Sequence, residues 1–167
     1  MNSQVESERM NRILSEINQD LTIMMVNSEK NESTLNDKLK QLQEKMIRLI
    51  TTNCSEAYEW FEKNKFNLKE NQMGPEGVKY MRELQECASR YDFGLRNEML
   101  SAEKEMNSLT NSHVSCTQNC MENQSNDDDT IKVCLKRCFS NTFEKTSALQ
   151  SNLTKKVDEA IFNLNKI

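Results

Sequence analysis

Residues 115–138 read "SCTQNCMENQSNDDDTIKVCLKRC" and hold four of the chain's six cysteines. They fall into two C-x-x-x-C pairs, Cys116 with Cys120 and Cys134 with Cys138, with thirteen residues between the pairs. Side chains four apart on an α-helix lie one turn apart on the same face, so each pair is a vertical couple on its own helix. The intervening "NQSNDDDT" carries polar turn residues, and one of its aspartates suits the N-cap of a helix that starts near Thr130. Folding the chain back there sets Cys116 opposite Cys138 and Cys120 opposite Cys134 in one antiparallel register. Two disulfide rungs about one turn apart can then form.

Other uses of the four thiols have to be weighed against this. A four-thiolate zinc site accepts two to four residues between paired cysteines, so a tetrahedral site in a reduced form is compatible with the spacing. Disulfides are the preferred reading, because the cysteine count of six is even and so regular an arrangement is uncommon among reduced thiols. Thiol oxidoreductases use two residues between their cysteines, and none of these pairs has that spacing.

The composition explains why such staples would matter. Of 167 residues only 36% are hydrophobic and 29% are charged, against roughly 45–50% and 25% in ordinary globular domains. Three glycines and one proline leave little punctuation, while Glu, Lys, Gln, Leu and Met are plentiful, which points to long helices and an all-α fold. The net charge of −4 offers no basic face for nucleic acid. No apolar run approaches the ~18 residues of a membrane span, and the most apolar stretch, "LTIMMV", is far shorter. The first residues, "MNSQVESERMNRILSE", lack the apolar core of a secretory signal and carry glutamates foreign to a transit peptide, so no cleavable leader is expected. Asn-x-Ser/Thr sequons at Asn31, Asn53, Asn123 and Asn152 are read as chance matches in an Asn-rich chain.

Along the chain, Met10, Leu14, Ile17, Leu21 and Met24 recur at alternating steps of four and three, giving a first amphipathic helix over 1–30. "NSEKNES" reads as an interruption, with Ser33 or Thr34 capping a second helix that carries Leu35, Leu39, Leu42, Met46 and Leu49. "KENQMGPEG", residues 69–77, contains the only proline and two of the glycines and reads as a turn. A third helix then carries Val78, Met81, Leu84, Ala88, Tyr91, Leu95 and Met99 onward to Cys120, weakened at Gly94 by about 1 kcal/mol. Folded back, the second and third helices match in register, with Cys54 facing Cys87 and Met46 facing Leu95. Regions 33–94 and 95–167 are therefore expected as a coiled-coil hairpin and a twin-cysteine hairpin, antiparallel and stapled by disulfides.

The segments "SCTQNC" and "VCLKRCFSNTFEKTSALQSNL" resemble the twin C-x-x-x-C proteins of the mitochondrial intermembrane space, above all the small Tim chaperones, over about residues 95–165. The resemblance implies import without a cleavable presequence, oxidative trapping by the intermembrane-space disulfide relay, and the outer–outer, inner–inner pairing already reached from the register. Small Tims form six-membered rings of helical hairpins that hold apolar membrane-protein precursors. This chain departs from them in about ninety extra N-terminal residues and in Cys54 and Cys87. The expectation is a non-enzymatic protein of the intermembrane space, peripheral to the inner membrane, serving as an accessory structural subunit of a respiratory-chain or ATP-synthase complex. The alternative is a small-Tim-like chaperone or assembly factor, and a third class is a reduced cytoplasmic coiled-coil protein.

Candidate working residues follow from the same pattern. Phe139, Phe143, Leu149, Leu153, Val157 and Ile161 form an apolar strip past the second cysteine pair, about 100° around the helix from the disulfide seam. It is expected to pack on another face of the third helix, on the first helix, or on a protein partner. The ten methionines lie mostly on helical stripes and read as core. His113, the only histidine, gives a His-based dyad or metal site little to work with. Asp127, Asp128 and Asp129 lack the glycine and distal glutamate of a calcium loop and read as a turn favouring the start of the last helix. No glycine-rich phosphate loop or pocketed carboxylate pair is present, so neither enzyme activity, metal nor cofactor is expected.

Overall fold

The computed structural model of the protein describes residues 2–66, 73–123 and 127–167. Among these residues it is all-α: α1 (Asn2–Asn53), α2 (Ser55–Asn64), α3 (Gly74–Tyr91), α4 (Leu95–Asn123) and α5 (Asp128–Leu164). Three disulfides staple the helices: Cys54–Cys87, Cys116–Cys138 and Cys120–Cys134. No helix among the described residues is long and apolar enough to cross a membrane.

The chain divides into two compact units. Unit 1 comprises Met1–Leu35 and Met99–Leu153, and unit 2 comprises Asn36–Glu98 and Thr154–Ile167.

The expected break at "NSEKNES" is absent, and α1 runs unbroken for 52 residues. The reason lies in the phase of its stripe. From Ile17 the core-facing positions continue at 21, 24, 28, 31 and 35 without slipping, the spacing that keeps one face inward. Only the occupants change, to Ser28 and Asn31, both half-buried. The Asn31 amide donates to Ser147 Oγ at 3.2 Å, so a polar pair replaces an apolar one inside unit 1. No glycine or proline lies nearby to end the helix. The boundary drawn between 30 and 33 therefore falls inside a helix.

Unit 1 has an aliphatic core drawn from three helices. Ile13, Ile17 and Leu21 of α1 meet Cys120 of α4 and Ile131, Leu135 and Cys138 of α5, with Met10, Leu14, Met121 and Phe139 packed around them. Ile13, absent from the stripe read in the sequence, is wholly buried. On the flanks of this core α1 and α5 run parallel, tied by a ladder of polar pairs. Arg12 reaches Asp128 at an offset of 116 residues, and Asn31 meets Ser147 at the same offset. Between these, Lys132 pairs with Glu16, and Lys136 pairs with Asp20 at 2.8 Å.

Unit 2 contains the α2–α3 hairpin. After Cys54, whose backbone leaves the helical region at φ −131° and ψ 42°, the chain restarts as α2. Of the turn expected over 69–77, residues 74–77 belong to α3, which begins at Gly74 with Pro75 in its first turn, where a missing N–H costs nothing. Residues 69–72 lie outside the described set. Gly77 is inside α3 and buried, since a Cβ there would meet the Trp60 ring at 3.0 Å and Met73 Cβ at 2.9 Å. Trp60 in turn stacks on Tyr80 with ring centroids 5.8 Å apart.

The third helix of the sequence reading is in fact two helices. Phe93 and Gly94 both take positive φ, 50° and 77°, and Leu95 N donates to Asp92 O at 2.9 Å, closing a tight turn between α3 and α4. Gly94 occupies this conformation freely; Phe93 does so at a steric cost. Within the same unit, Lys38 of α1 pairs with Asp158 of α5 at 2.9 Å, and Lys45 donates to Asn165 at 2.6 Å, again a parallel pairing.

Candidate functional site

The site is the pair of bridges in unit 1. At its foot, Asp127 begins α5: its carboxylate accepts from Asp129 N at 3.1 Å and from the Thr130 hydroxyl at 2.6 Å. Those bonds hold the Asp127 carboxyl below the usual aspartate range, the Thr130 hydroxyl contributing most and the Asp129 amide next. Asp128 is likewise lowered, chiefly by its hydrogen bond from Arg9, with Arg12 adding to it. Arg9 donates to Oδ1 at 2.8 Å and Arg12 to Oδ2 at 2.9 Å, a two-armed clamp from α1 onto the first turn of α5. The acidic turn is thus a helix cap and an anchor for α1, which also complements the positive end of the α5 dipole. Residues 124–126 of that turn lie outside the described set.

Held in this way, α4 and α5 present their cysteines at matching heights. The Cα atoms of Cys116 and Cys138 are 5.8 Å apart and those of Cys120 and Cys134 5.7 Å apart, both inside the span a disulfide bridges. The structure thus has the outer–outer and inner–inner pairing. All four sulfurs are consumed in these bonds, so in this oxidised form none is a free thiolate ligand for a metal. The two bridges are close neighbours: Cys120 Sγ lies 3.5 Å from Cys138 Sγ, and the sulfurs of Cys116, Cys120 and Cys138 fall within 4.8 Å of one another.

Exposure separates the four. Cys120 and Cys138 are buried, at 0% and 2%, whereas Cys116 and Cys134 are half-buried. Cys116 also lines an open groove of about 810 Å³ along α4, where its neighbours are serines and asparagines with Lys104 as the one charged side chain.

One turn further along α5, His113 of α4 packs edge-on against Phe139 with ring centroids 4.6 Å apart, and its Nδ1 lies 2.9 Å from Thr142 Oγ1. The Thr142 hydroxyl donates its one proton to Cys138 O at 2.9 Å. It can therefore only accept from His113, which assigns the proton to Nδ1. His113 is a hydrogen-bonded fastener between α4 and α5 beside the outer rung.

Of the placements expected for the apolar strip, the structure favours packing within the chain. Phe139 belongs to the edge of the unit 1 core, and Phe143, Leu149 and Leu153 are half-buried in that unit. In unit 2, Val157 has no exposed surface and Ile161 is half-buried. Val157, named as a candidate partner contact, is a core residue, which leaves internal packing as its role. Among the exposed apolar side chains are Ile23, Met25 and Val26 on α1, Val114 and Val133 near the bridges, and Phe162 on α5.

Cys54 and Cys87 are joined with Cα atoms 6.5 Å apart. Beside them Asn53 donates to Tyr91 Oη at 2.7 Å, a second tie across the foot of the hairpin. What the sequence reading missed was the charge ladder between α1 and α5. Its signal was present: Glu16 and Asp20 on one helix and Lys132 and Lys136 on the other, all four residues apart.

Comparison with known proteins yields no relative: no family model, no curated protein and no solved structure matches this chain.

Proposed function

We propose that the protein is a non-enzymatic accessory subunit of an inner-membrane respiratory-chain or ATP-synthase complex, peripheral to the membrane in the mitochondrial intermembrane space. The observation that carries this reading is the pairing of both C-x-x-x-C couples across one helical hairpin. Disulfides persist in oxidising compartments, and this spacing and pairing resemble those of the twin C-x-x-x-C proteins of that space. The third bridge and the charge ladder support a fixed structural role, because they stabilise single packings of α2 on α3 and of α1 on α5. Ile23, Met25 and Val26, each more than half exposed, suit lateral packing against protein neighbours.

A small-Tim-like chaperone or assembly factor is the second reading, favoured by exposed Val114 and Val133 beside the bridges, which could meet apolar clients. Mild detergent extraction of mitochondria, followed by native separation and quantitative mass spectrometry, distinguishes the two. Comigration with one large inner-membrane complex at fixed stoichiometry is the expected result. A free oligomer of constant size that releases precursor proteins supports the chaperone. Recovery outside mitochondria, with six cysteines alkylated before any reduction, ends both readings.

A further inference from the structure

We propose that the two bridges of unit 1 form a thiol–disulfide relay, attacked at Cys116 by a small anionic thiol of the glutathione class and releasing Cys134 as the free thiol. The proposal does not depend on the compartment or partner assigned above. It rests on three observations: which cysteines are partly exposed, which sulfurs are in contact, and that of the two half-buried cysteines Cys116 opens on the groove along α4.

Cys116 is half-buried and opens on the groove along α4, while its bonded partner Cys138 is 2% exposed. The asparagines and serines of that groove supply hydrogen-bond donors beside Cys116, and Lys104, about 18 Å along α4, gives the far end of the groove a positive charge for a thiol carrying carboxylates. A thiolate attacking Cys116 Sγ forms a mixed disulfide there and expels Cys138 as a thiolate into the buried seam. That thiolate already lies 3.5 Å from Cys120 Sγ. Its attack on Cys120 forms a Cys120–Cys138 bridge and expels Cys134, which is half-buried and takes up a proton from solvent.

The balance closes without an oxidant. One thiol is consumed, two disulfides are broken and two formed, and the proton lost by the incoming thiol is matched by the one Cys134 gains. Burial of Cys138 favours the second step, since an unpaired thiolate is costly in an apolar core. Because Cys120 and Cys138 sit diagonally across the native rungs, the crossed bridge draws α4 and α5 along one another. The relay therefore couples modification at Cys116 to the register of the hairpin.

The test uses the oxidised full-length protein exposed to limiting reduced glutathione, quenched in acid, alkylated and mapped by peptide mass spectrometry. The expected product carries glutathione on Cys116, a Cys120–Cys138 bridge and alkylated Cys134 in one molecule. Two single variants test the same contact without glutathione. C116S and C134S should both convert to the Cys120–Cys138 bridge in about one-tenth or more of the molecules, freeing Cys134 and Cys116 respectively, while C120S and C138S retain their one native rung. Glutathione on Cys116 with Cys120–Cys134 intact and Cys138 alkylated overturns the relay. So does the absence of any Cys116 adduct, and so does the absence of crossed bridge in both C116S and C134S when they fold; where a variant fails to fold, the wild-type mapping decides.

Discussion

Around the twin C-x-x-x-C pairs, two bridges one turn apart sit on an aliphatic core of Ile13, Ile17, Ile131 and Leu135, and charged pairs line its flank. In the α2–α3 hairpin a single bridge closes one end, and beyond it Trp60 lies on Gly77 and Tyr80. Both regions answer the same shortage of apolar residues. The first supplements a small aliphatic core with two nested covalent loops of 14 and 22 residues. The second closes one loop of 33 residues and leaves the rest to ring packing. The first should therefore be sensitive to loss of sulfur and the second to loss of a close fit.

The largest expected effect tests the first half of that contrast. Replacing the inner rung by C120A/C134A removes a loop constraint of about 3 kcal/mol and the packing of a sulfur that is wholly buried. Chemical denaturation should show unit 1 losing roughly 3–4 kcal/mol, and hydrogen exchange should speed in α4 and α5 near the bridges. Equal loss of protection in α2 and α3 would show that the two regions are not energetically separate. The corresponding C54A/C87A variant should instead loosen α2 and α3, leaving the amides around Ile131 protected.

Ile131→Ala comes next and asks whether the aliphatic core matters once both rungs are present. Ile131 is fully buried among Ile13, Ile17 and Cys120, and truncating such a side chain costs about 2–4 kcal/mol. A loss near zero in the oxidised protein would mean that the bridges alone hold unit 1. Measuring the variant oxidised and reduced gives the coupling directly, as in a double-mutant cycle.

The second half of the contrast is tested at Gly77. Alanine there gains about 1 kcal/mol of helix propensity, yet its Cβ would sit 3.0 Å from the Trp60 ring, so the two effects oppose. Gly77→Leu removes the ambiguity, and overpacking should cost roughly 1–3 kcal/mol. Trp60 is the only tryptophan in the chain, so its fluorescence reports this hairpin and nothing else. A red shift with unchanged disulfide mapping is expected; an unshifted spectrum would show that the rings adapt.

The two regions also differed in how well they could be read from sequence. Cysteines at a step of four, flanking an acidic turn, leave only one antiparallel register with both rungs closed, so the pairing was legible. The all-α fold followed from composition. The Cys54–Cys87 bridge of the hairpin was legible in the same way, but its helix breaks were not, because Cys54 and the Phe93–Gly94 turn break helices whose apolar stripes stay nearly in phase across the break. The reverse error occurred at "NSEKNES", where a polar composition concealed an unbroken phase through Ser28 and Asn31. The parallel packing of α1 on α5 depends on residues on the flank of the stripe, Glu16 and Asp20 with Lys132 and Lys136, which a search for apolar periodicity passes over. The strip from Phe139 to Ile161 lies on one helix, but whether the third helix, the first helix or a partner covers it depends on packing that one helix alone does not reveal.

The smallest effect concerns the acid end of that flank and sharpens the contrast through pH. Asp127 and Asp128 both titrate below their ordinary value of 3.8 in the folded protein. A carboxylate with a lowered folded-state pKa adds stability that is present above the ordinary value and is lost as pH falls through the folded one. Acidification below about pH 3.8 should therefore loosen the α1 anchor and the α5 cap in unit 1. Asp127 is solvent-exposed and Asp128 only half-buried at the surface, so the loss should be modest and should shrink as salt rises. Asp128→Asn removes the anion that Arg9 and Arg12 clamp while keeping the side chain's shape. At neutral pH its amides near Arg9 and Arg12 should show the reduced protection factors that the wild type shows in acid, each corrected for the intrinsic exchange rate at its own pH, whereas Trp60 fluorescence should be the same in both. A variant whose acid sensitivity matches the wild type's would assign the pH response to carboxylates other than Asp128, leaving Asp127 and its bonds to Asp129 and Thr130 as the next pair to alter.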